Sequence, residues 1–429
     1  MTDAVRTWML LQRLRSNVRR APESLARLQD ELLRAAVSHA YHTVPFYRRV
    51  WDQPGFDARR VKGFEDIGRM PIITSAMVKE AAQHGELLAR GVDTRRCTFL
   101  DSSGSSGHPL RIWKQPLEER LRRAVGLRLW FEHGFRWRQM TAQFQIRTGP
   151  SHPLQQFGVS RKAWISTQQP IEEQLTRFLR SKADVVVGTA TALRRVARAI
   201  ESARVKPTQP RIVFCAGELL DAETRGLVKR ALGVDPIGVY GQTEVGYIAW
   251  HCEQRQGLHV NADTHLVEVL RGGKPACPGE LGAIVVTDLR ARTMPLLRYD
   301  TGDLAVASAE RCPCGRQLPL LRSIEGRARG AVRLADGRVQ TTRAIVDHLA
   351  GWLRLGEYRL YQETIQAFRL EVTGYAADRH SPDATRRRLR AILGEIDLTI
   401  SPISSWPYDG TGKTHTVFSA LTATEPVFQ

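Results

Sequence analysis

The chain has 429 residues, 42% of them hydrophobic and 25% charged, the balance of a folded globular protein long enough for two unequal domains. Lysine and arginine outnumber the acids 63 to 44, a formal charge of +19, which favours polyanionic partners such as phosphate-rich cofactors or nucleic acid. No apolar run approaches the ~20 residues of a membrane span, the WMLL run near the N-terminus is too short for a secretory signal, and six cysteines are too few for a disulfide framework.

A cytoplasmic location follows as the expectation, with no membrane partner. The arginines are spread over helix-like segments (RRAPESLARLQ, EERLRRAVGLRLW, ATRRRLRAIL) among Leu and Ala. They lack the aromatic interleaving of a single-strand binder, which argues against nucleic acid.

In chain order, residues 1–50 carry Leu25, Leu28, Leu32, Leu33, Ala36 and Val37 at the spacing of one helix face, ending where Pro45 breaks the run. Ser75 follows the short apolar segment MPIIT and is positioned to cap the next helix. RRCTFLDSSGSSG reads as strand into loop and PLEERLRRAVGLRLWFEHG as an amphipathic helix. ADVVVGTATALRRVARAI and RIVFCAGELLDAETRGLVKRALG each read as strand, turn and helix. That alternation predicts an α/β domain with a largely parallel sheet.

From about Leu258 to Val306 the texture becomes β-rich with glycine turns. After EGRARG the chain restarts with VRLADGRVQTT, a hairpin by its Asp-Gly turn, then a helix, the strand-like segment YRLYQETIQAFRLEVTGY, a second helix and a glycine loop entering a last strand. The expected fold class is therefore α/β: a large N-terminal domain, residues 1–327, with mainly parallel sheets plus a β-rich subdomain. A small mobile C-terminal α+β domain, residues 328–429, follows it.

The loop SSGSSG, Ser102 to Gly107, offers two glycines that free backbone N–H groups and four hydroxyls, chemistry that suits a phosphate tail. It lacks the Gly-Lys-Ser/Thr ending of nucleotide loops, because His108 and Pro109 follow. Alone it reads equally well as a flexible surface loop.

Downstream lie YGQTE from Tyr240, YDTGD from Tyr299, EGR at Glu325–Arg327 and a C-terminal GK at Gly412–Lys413. In that order these motifs resemble the adenylate-forming, acyl-CoA synthetase-like superfamily. VPFYRRV, FEDIGRMPII, GELL at Gly217–Leu220, the HC…GLHV…VEVL run and RCPCGRQLP are similar to its phenylacetate–CoA ligase branch, with the capsular-polysaccharide-type relatives. The resemblance covers nearly the whole chain.

It implies an enzyme that joins a carboxylic acid to ATP as an acyl-adenylate, releases pyrophosphate and passes the acyl group to coenzyme A. By motif position, Ser102, Ser103, Gly104, Ser105, Ser106 and Gly107 would cradle the β- and γ-phosphates. Tyr240, Gly241 and Gln242 would line the adenine or acyl pocket, with Gly217 and Glu218 on the adenine side. Thr243 would bond a phosphate and Glu244 would hold Mg²⁺, a hard ion suited to oxygen ligands. Asp303 and Arg327 would contact the ribose, and Lys413 would bridge the carboxylate and α-phosphate. An aryl or arylacetic acid is the implied substrate. Trp130, Phe131, Phe144 and Tyr247 are candidates for an acyl pocket, although core packing explains them equally.

Two departures from the pattern stand out: His108 where many relatives have lysine, and Arg329–Gly330 where an acid usually follows the GR motif. The second leaves a different acceptor open, an amine or a carrier-protein thiol in tailoring of a natural product or surface polymer. A non-catalytic nucleotide- or nucleic-acid-binding role is the remaining alternative, and the presence of Glu244, Asp303 and Lys413 counts against it. A homodimer is compatible with all three.

RCPCGR places Cys312 and Cys314 on a C-x-C turn, and HCEQRQGLH supplies Cys252 and His259, with His251 as a spare. Three thiolates and an imidazole suit structural Zn²⁺, and the resemblance supports it because cysteine pairs recur at both places in this branch. Buried free thiols are the competing reading.

Overall fold

The computed structural model describes residues 3–52, 56–102, 110–146, 155, 158–352, 358–373, 381–404 and 416–421. Ser103, Gly104, Ser105, Ser106, Gly107, His108 and Lys413 lie outside the described residues. Contacts divide the chain into two units: Met1–Gly134 with Val239–Ser323, and Phe135–Gly238 with Ile324–Val427.

In the second unit the valine-rich run VVVG forms the strand Val185–Gly188, buried on both sides as a parallel strand must be. It lies between Ile212–Ala216 and Thr141–Gln145, with Lys162–Ser166 beyond, all parallel. The crossover helices are closed by local chemistry. Thr189 caps Ala190–Ala203 by accepting from Ala192 N, and Asp221 caps Ala222–Leu232 by accepting from Thr224 N. The second helix stops at Gly233, φ 72°, a left-handed position where glycine carries no Cβ penalty. Leu193, Val196, Leu227 and Val228 pack with Phe144, Val186 and Val213 in one core.

The same unit holds a second, separate core. Asp397–Ile403, Ala367–Thr373, Tyr358–Gln362 and Val417–Ser419 form a four-stranded sheet in that order. Leu360, Leu370 and Val417 pack there with Ile345 and Leu349 from the helix Thr342–His348 side and Leu389 and Leu393 from the helix Pro382–Leu393. The hairpin expected at Asp336-Gly337 is present, with Val332 opposite Gln340.

The first unit opens with helices Asp3–Asn17, Pro22–Thr43 and Pro45–Trp51. Pro45 breaks the run as expected and itself begins the next helix, where its missing N–H costs nothing. Ser75 does not cap the helix Ser75–Gln83. Thr74 does, accepting from Met77 N, because it takes the extended backbone a cap needs. The β-rich segment is antiparallel: His265–Arg271 pairs with Leu281–Asp288, which pairs with Tyr299–Ala307. Ile237–Gln242, Gly246–His251 and Leu258–Val260 form a second antiparallel run. The parallel sheet expected of the large domain is thus confined to one part of a mixed architecture.

A fully buried ion pair ties helices to sheet in this unit. Arg128, on the helix Pro116–Glu132, donates to Asp263 at 2.8 Å and to Asn261 Oδ1 at 2.7 Å, and Asn17 donates to Asp263 at 3.0 Å. No described helix is long and apolar enough to cross a membrane.

Candidate active site

The glycine loop is carried by a short antiparallel pair, Thr98–Asp101 with Arg111–Lys114. Ser102 closes its mouth: Ser102 N donates to Leu110 O at 2.8 Å, and Leu110 N donates to Ser102 Oγ at 2.9 Å. The hydroxyl of Ser102 is therefore spent as an acceptor on the loop's own backbone.

Thr243 and Glu244 stand at a tight hairpin tip. Gln242 pairs with Gly246, leaving only Thr243, Glu244 and Val245 in the turn, and both motif side chains are half-exposed. Gly246 takes φ 87° to complete the turn. Gly241 is required by contact instead, since a Cβ there would lie 2.4 Å from Gly246 O. The glycine of YGQTE thus lets the two strands close while the threonine and glutamate project.

Tyr240 and Gln242 converge on Asp303, which lies on the strand Tyr299–Ala307 and is 7% exposed. Tyr240 Oη donates to Asp303 Oδ2 at 2.9 Å and Gln242 Nε2 donates to the same oxygen at 2.7 Å. Gln242 Nε2 also donates to Thr301 O at 2.8 Å. Gly302, φ 68°, turns the strand so that Thr301 Oγ1 can accept from Asp303 N at 3.2 Å. Residues 61 to 63 positions apart in sequence therefore make one hydrogen-bonded unit, and sequence spacing carried no sign of it.

In the other unit, Gly217 takes φ 86° after the strand Ile212–Ala216, and the Glu218 carboxylate accepts from Thr191 N at 2.7 Å. Glu218 thereby serves the orphan donors at the N-terminus of the helix Ala190–Ala203. Arg327 is exposed at the end of the strand Leu320–Arg327. The Gly326–Gly330 stretch folds onto Thr342. A Cβ on Gly330 would meet Thr342 Oγ1 at 2.4 Å and Val417 O at 3.0 Å. Gly330, which stands where the motif resemblance leads to the expectation of an acid, is therefore packed against Thr342 and the strand Val417–Ser419 too closely for a side chain.

Of the aromatic candidates, Phe144 is a core residue 5.8 Å from the Phe178 ring, and Phe131 packs with Trp8. Tyr247 instead borders an open recess.

The cysteine and histidine expectations meet in one place. The ligand atoms of Cys252, His259, Cys312 and Cys314 all lie within 4.8 Å of one another. Strand pairing explains the convergence. His259 lies opposite Trp250 on one side and Leu320 on the other, so the loop after His251 and the loop before Leu320 flank it. Cys252 Sγ is 3.5 Å from Cys312 Sγ, and Cys314 Sγ is 3.3 Å from His259 Nε2. A tetrahedral zinc site would set sulfurs about 3.8 Å apart, so the donor set fits that ion closely. The three cysteines of the cluster are free thiols, with no disulfide among the described cysteines. His251 is not part of the cluster.

Arg316 completes the surroundings and was not singled out by its sequence. Its guanidinium pairs with Glu253 at 2.9 Å and Glu132 at 3.3 Å and lies 5.4 Å from the centre of the Trp250 ring. Burial pushes the Cys312 thiol up to about 12. Burial acts the same way on Cys314, but the N–H and guanidinium of Arg316 outweigh it and hold that thiol below its usual range. His259 is pushed down to about 4 by burial and then by Arg316, so its ring is neutral and able to ligate.

No protein-family model matches the chain. The chain is 27% identical over 328 residues to the phenylacetate–coenzyme A ligase of Thermus thermophilus, covering 71% of each. To the phenylacetate–coenzyme A ligase of Aromatoleum evansii it is 24% identical over 328 residues, again covering 71% of each. Among solved structures, it matches a 2-hydroxyisobutyryl-CoA ligase in complex with 2-HIB-AMP at a TM-score of 0.78 and 18% identity, covering 93% of this chain and 90% of that one. An anthranilate CoA ligase in complex with anthranoyl-AMP matches at a TM-score of 0.55 and 16% identity, covering 76% and 67%.

Proposed function

The chain is a homologue of phenylacetate–coenzyme A ligases with the fold of adenylate-forming ligases, and from that premise we propose that it activates an aryl or arylacetic acid with ATP and transfers the acyl group to coenzyme A. A carboxylate oxygen attacks the α-phosphorus and the bond to the β-phosphate oxygen breaks, releasing pyrophosphate. The thiol sulfur then attacks the acyl carbon and AMP leaves with the electron pair. Oxide is too poor a leaving group for direct thioester formation, and the first step replaces it.

The observation that carries this reading is the Asp303 carboxylate held by Tyr240 and Gln242 beside the hairpin tip that bears Thr243 and Glu244. A carboxylate fixed in this way suits two adjacent ribose hydroxyls, because its orientation is set before the nucleotide arrives. Thr243 would bond a phosphate. Glu244 would hold Mg²⁺, whose charge offsets the repulsion between carboxylate and triphosphate. The loop that begins at Ser102 would supply amides and hydroxyls from Ser103 to Gly107 to the outer phosphates, Gly217 and Glu218 would border the adenine, and Arg327 would reach the ribose.

Residues 1–327 and 328–429 are assigned as the functional division, the smaller part carrying Lys413 to the reacting atoms. The separate apolar core built on Leu360, Leu370 and Val417 supports that assignment. Zinc at Cys252, His259, Cys312 and Cys314 would be structural, since four protein ligands leave no open position. Use of ATP and coenzyme A fits a cytoplasmic enzyme.

Pyrophosphate release across a panel of carboxylic acids, followed by thioester formation with coenzyme A, tests the reading. Lys413→Ala is expected to lose on the order of 10²–10⁴ in adenylation rate, the range for a positioned charged group. Full adenylation by that variant refutes the role given to Lys413, and no acid-dependent pyrophosphate release from the intact chain refutes the activity.

A further inference from the structure

The hairpin tip that presents Thr243 and Glu244 has a single support besides its own strands. Among the described residues, and apart from the pairing of Gln242 with Gly246, the turn residues Thr243, Glu244 and Val245 are bonded only through Val245 O. That carbonyl lies 2.9 Å from His265 Nε2. A carbonyl oxygen only accepts, so Nε2 carries the proton and donates it. The Thr243 hydroxyl and the Glu244 carboxylate have no hydrogen-bond or ion-pair partner among the described residues, which leaves both for a ligand.

The histidine that makes this bond is itself fixed. His265 begins the strand His265–Arg271 and is 4% exposed, and its Nδ1 lies 3.0 Å from Thr264 Oγ1. Residues 261–265 fold back on themselves, with Thr264 N and His265 N both donating to Asn261 O at 2.9 Å. The Asn261 amide is held by Arg128 at 2.7 Å and by Trp250 Nε1 at 3.0 Å, and it donates to Tyr247 O at 2.8 Å. The Arg128–Asp263 pair ties the same segment down. Val245 and Tyr247, on either side of Gly246, are therefore pinned by one buried platform.

A hydroxyl and a carboxylate on a three-residue turn move wherever the turn moves. A misplacement of about 1 Å, caused from outside the reacting atoms, can cost on the order of 10² in rate. His265 meets the backbone of the tip and neither of its projecting side chains, so its influence on a bound group passes through their placement.

We infer that His265 is a positioning residue for nucleotide activation: by holding Val245 O it sets the turn so that Thr243 and Glu244 meet the triphosphate and its divalent ion together. The inference rests on the ligase reading for what the tip binds, and on the His265–Val245 bond for how the tip is held.

Two substitutions in the full-length protein test it. His265→Leu removes the donor, and His265→Gln replaces it with an amide N–H of similar reach. Gln29→Ala is the control, because it removes a 3.3 Å bond to the His265 carbonyl and leaves the tip untouched. In pyrophosphate release, His265→Leu should raise the KM for Mg²⁺·ATP about tenfold or more and lower kcat by on the order of 10–10², with the KM for the acid unchanged. His265→Gln should recover most of both constants, and Gln29→Ala should match the wild-type chain. Mn²⁺·ATP binding without acid, followed by electron paramagnetic resonance of the ion, reads the tip independently of turnover. It should weaken about tenfold or more in His265→Leu and little in His265→Gln. Melting temperatures of all three variants separate lost stability from lost binding. If His265→Leu does not fold, His265→Asn, whose amide is too short to reach Val245 O, carries the same expectations. A wild-type chain that releases no pyrophosphate with any acid, while His265→Leu still weakens Mn²⁺·ATP, would sink the ligase reading and leave the positioning role standing. Wild-type constants and Mn²⁺·ATP affinity in His265→Leu, an equal rise in its KM for the acid, or no recovery in His265→Gln would overturn the inference.

Discussion

Gln242 donates its amide Nε2 to Asp303 at 2.7 Å and to the Thr301 carbonyl at 2.8 Å, so one proton holds the carboxylate while the other anchors the amide to the backbone beside it. Gln242→Ala removes a hydrogen bond to a charged group, worth about 1.5–3 kcal/mol. If Asp303 holds the ribose, the KM for ATP should rise by about tenfold or more, with a smaller fall in kcat, because the bond orients a binding group and not the reacting atoms. Pyrophosphate exchange at varied ATP measures this. An unchanged KM for ATP would dissociate Gln242 from nucleotide binding.

Some of this arrangement was legible in the sequence and some was not. The strand-turn-helix segments announced themselves because VVVG and IVFCA are buried parallel strands and the helices after them carry their own caps at Thr189 and Asp221. The metal-type cluster was legible because cysteine and histidine are chemically conspicuous wherever they stand. The Tyr240–Gln242–Asp303 unit was not, since side-chain hydrogen bonds between strands that are not paired with each other, and not local pattern, bring those residues together.

The buried pair of Arg128 and Asp263 should dominate the stability of the first unit. Both side chains are 0% exposed, and Arg128 also donates to Leu14 O at 3.1 Å. Asp263→Ala leaves a guanidinium buried without its counter-charge and should cost about 3–5 kcal/mol in urea unfolding. Replacing both with apolar residues should cost less than the sum of the two single changes, because no orphaned charge remains. A loss under about 1 kcal/mol for Asp263→Ala would show that the site relaxes to admit water.

Zinc content is the direct check on the cysteine cluster. Purified protein should carry zinc, and chelator treatment should lower the melting temperature, because a closed four-ligand site contributes folding free energy. Cys312→Ser and Cys314→Ser should each lose the metal. Cys277→Ser should keep it, since Cys277 is exposed and lies outside the cluster. Substitution with cobalt offers a second readout through the absorption of a tetrahedral thiolate site. Metal-free protein with full thermal stability after expression in zinc-replete medium would reduce the four residues to packed thiols and an imidazole.

Gly330, with Arg329, stands where the motif resemblance leads to the expectation of an acid, and the packing gives a physical reason for the glycine. A Cβ there would lie 2.4 Å from Thr342 Oγ1 and 3.0 Å from Val417 O, the first a side-chain atom and the second backbone of a strand. Gly330→Ala should therefore destabilise the part of the chain around Thr342 by about 1–3 kcal/mol, the usual cost of overpacking. Thr342→Ala in the same chain removes the closer obstacle but also the Thr342 Oγ1 bond to Gly330 O at 3.2 Å, so the rescue should be partial. Gly330→Asp, which restores an acid after the GR motif, should be worse than alanine because the larger side chain meets the same wall. Denaturant melts monitored by hydrogen exchange at Val417 and Leu360 would localise the effect. If Gly330→Asp proved as stable as the parent, the close approach would not be what selects glycine here, and a role in the second half-reaction would have to be sought instead.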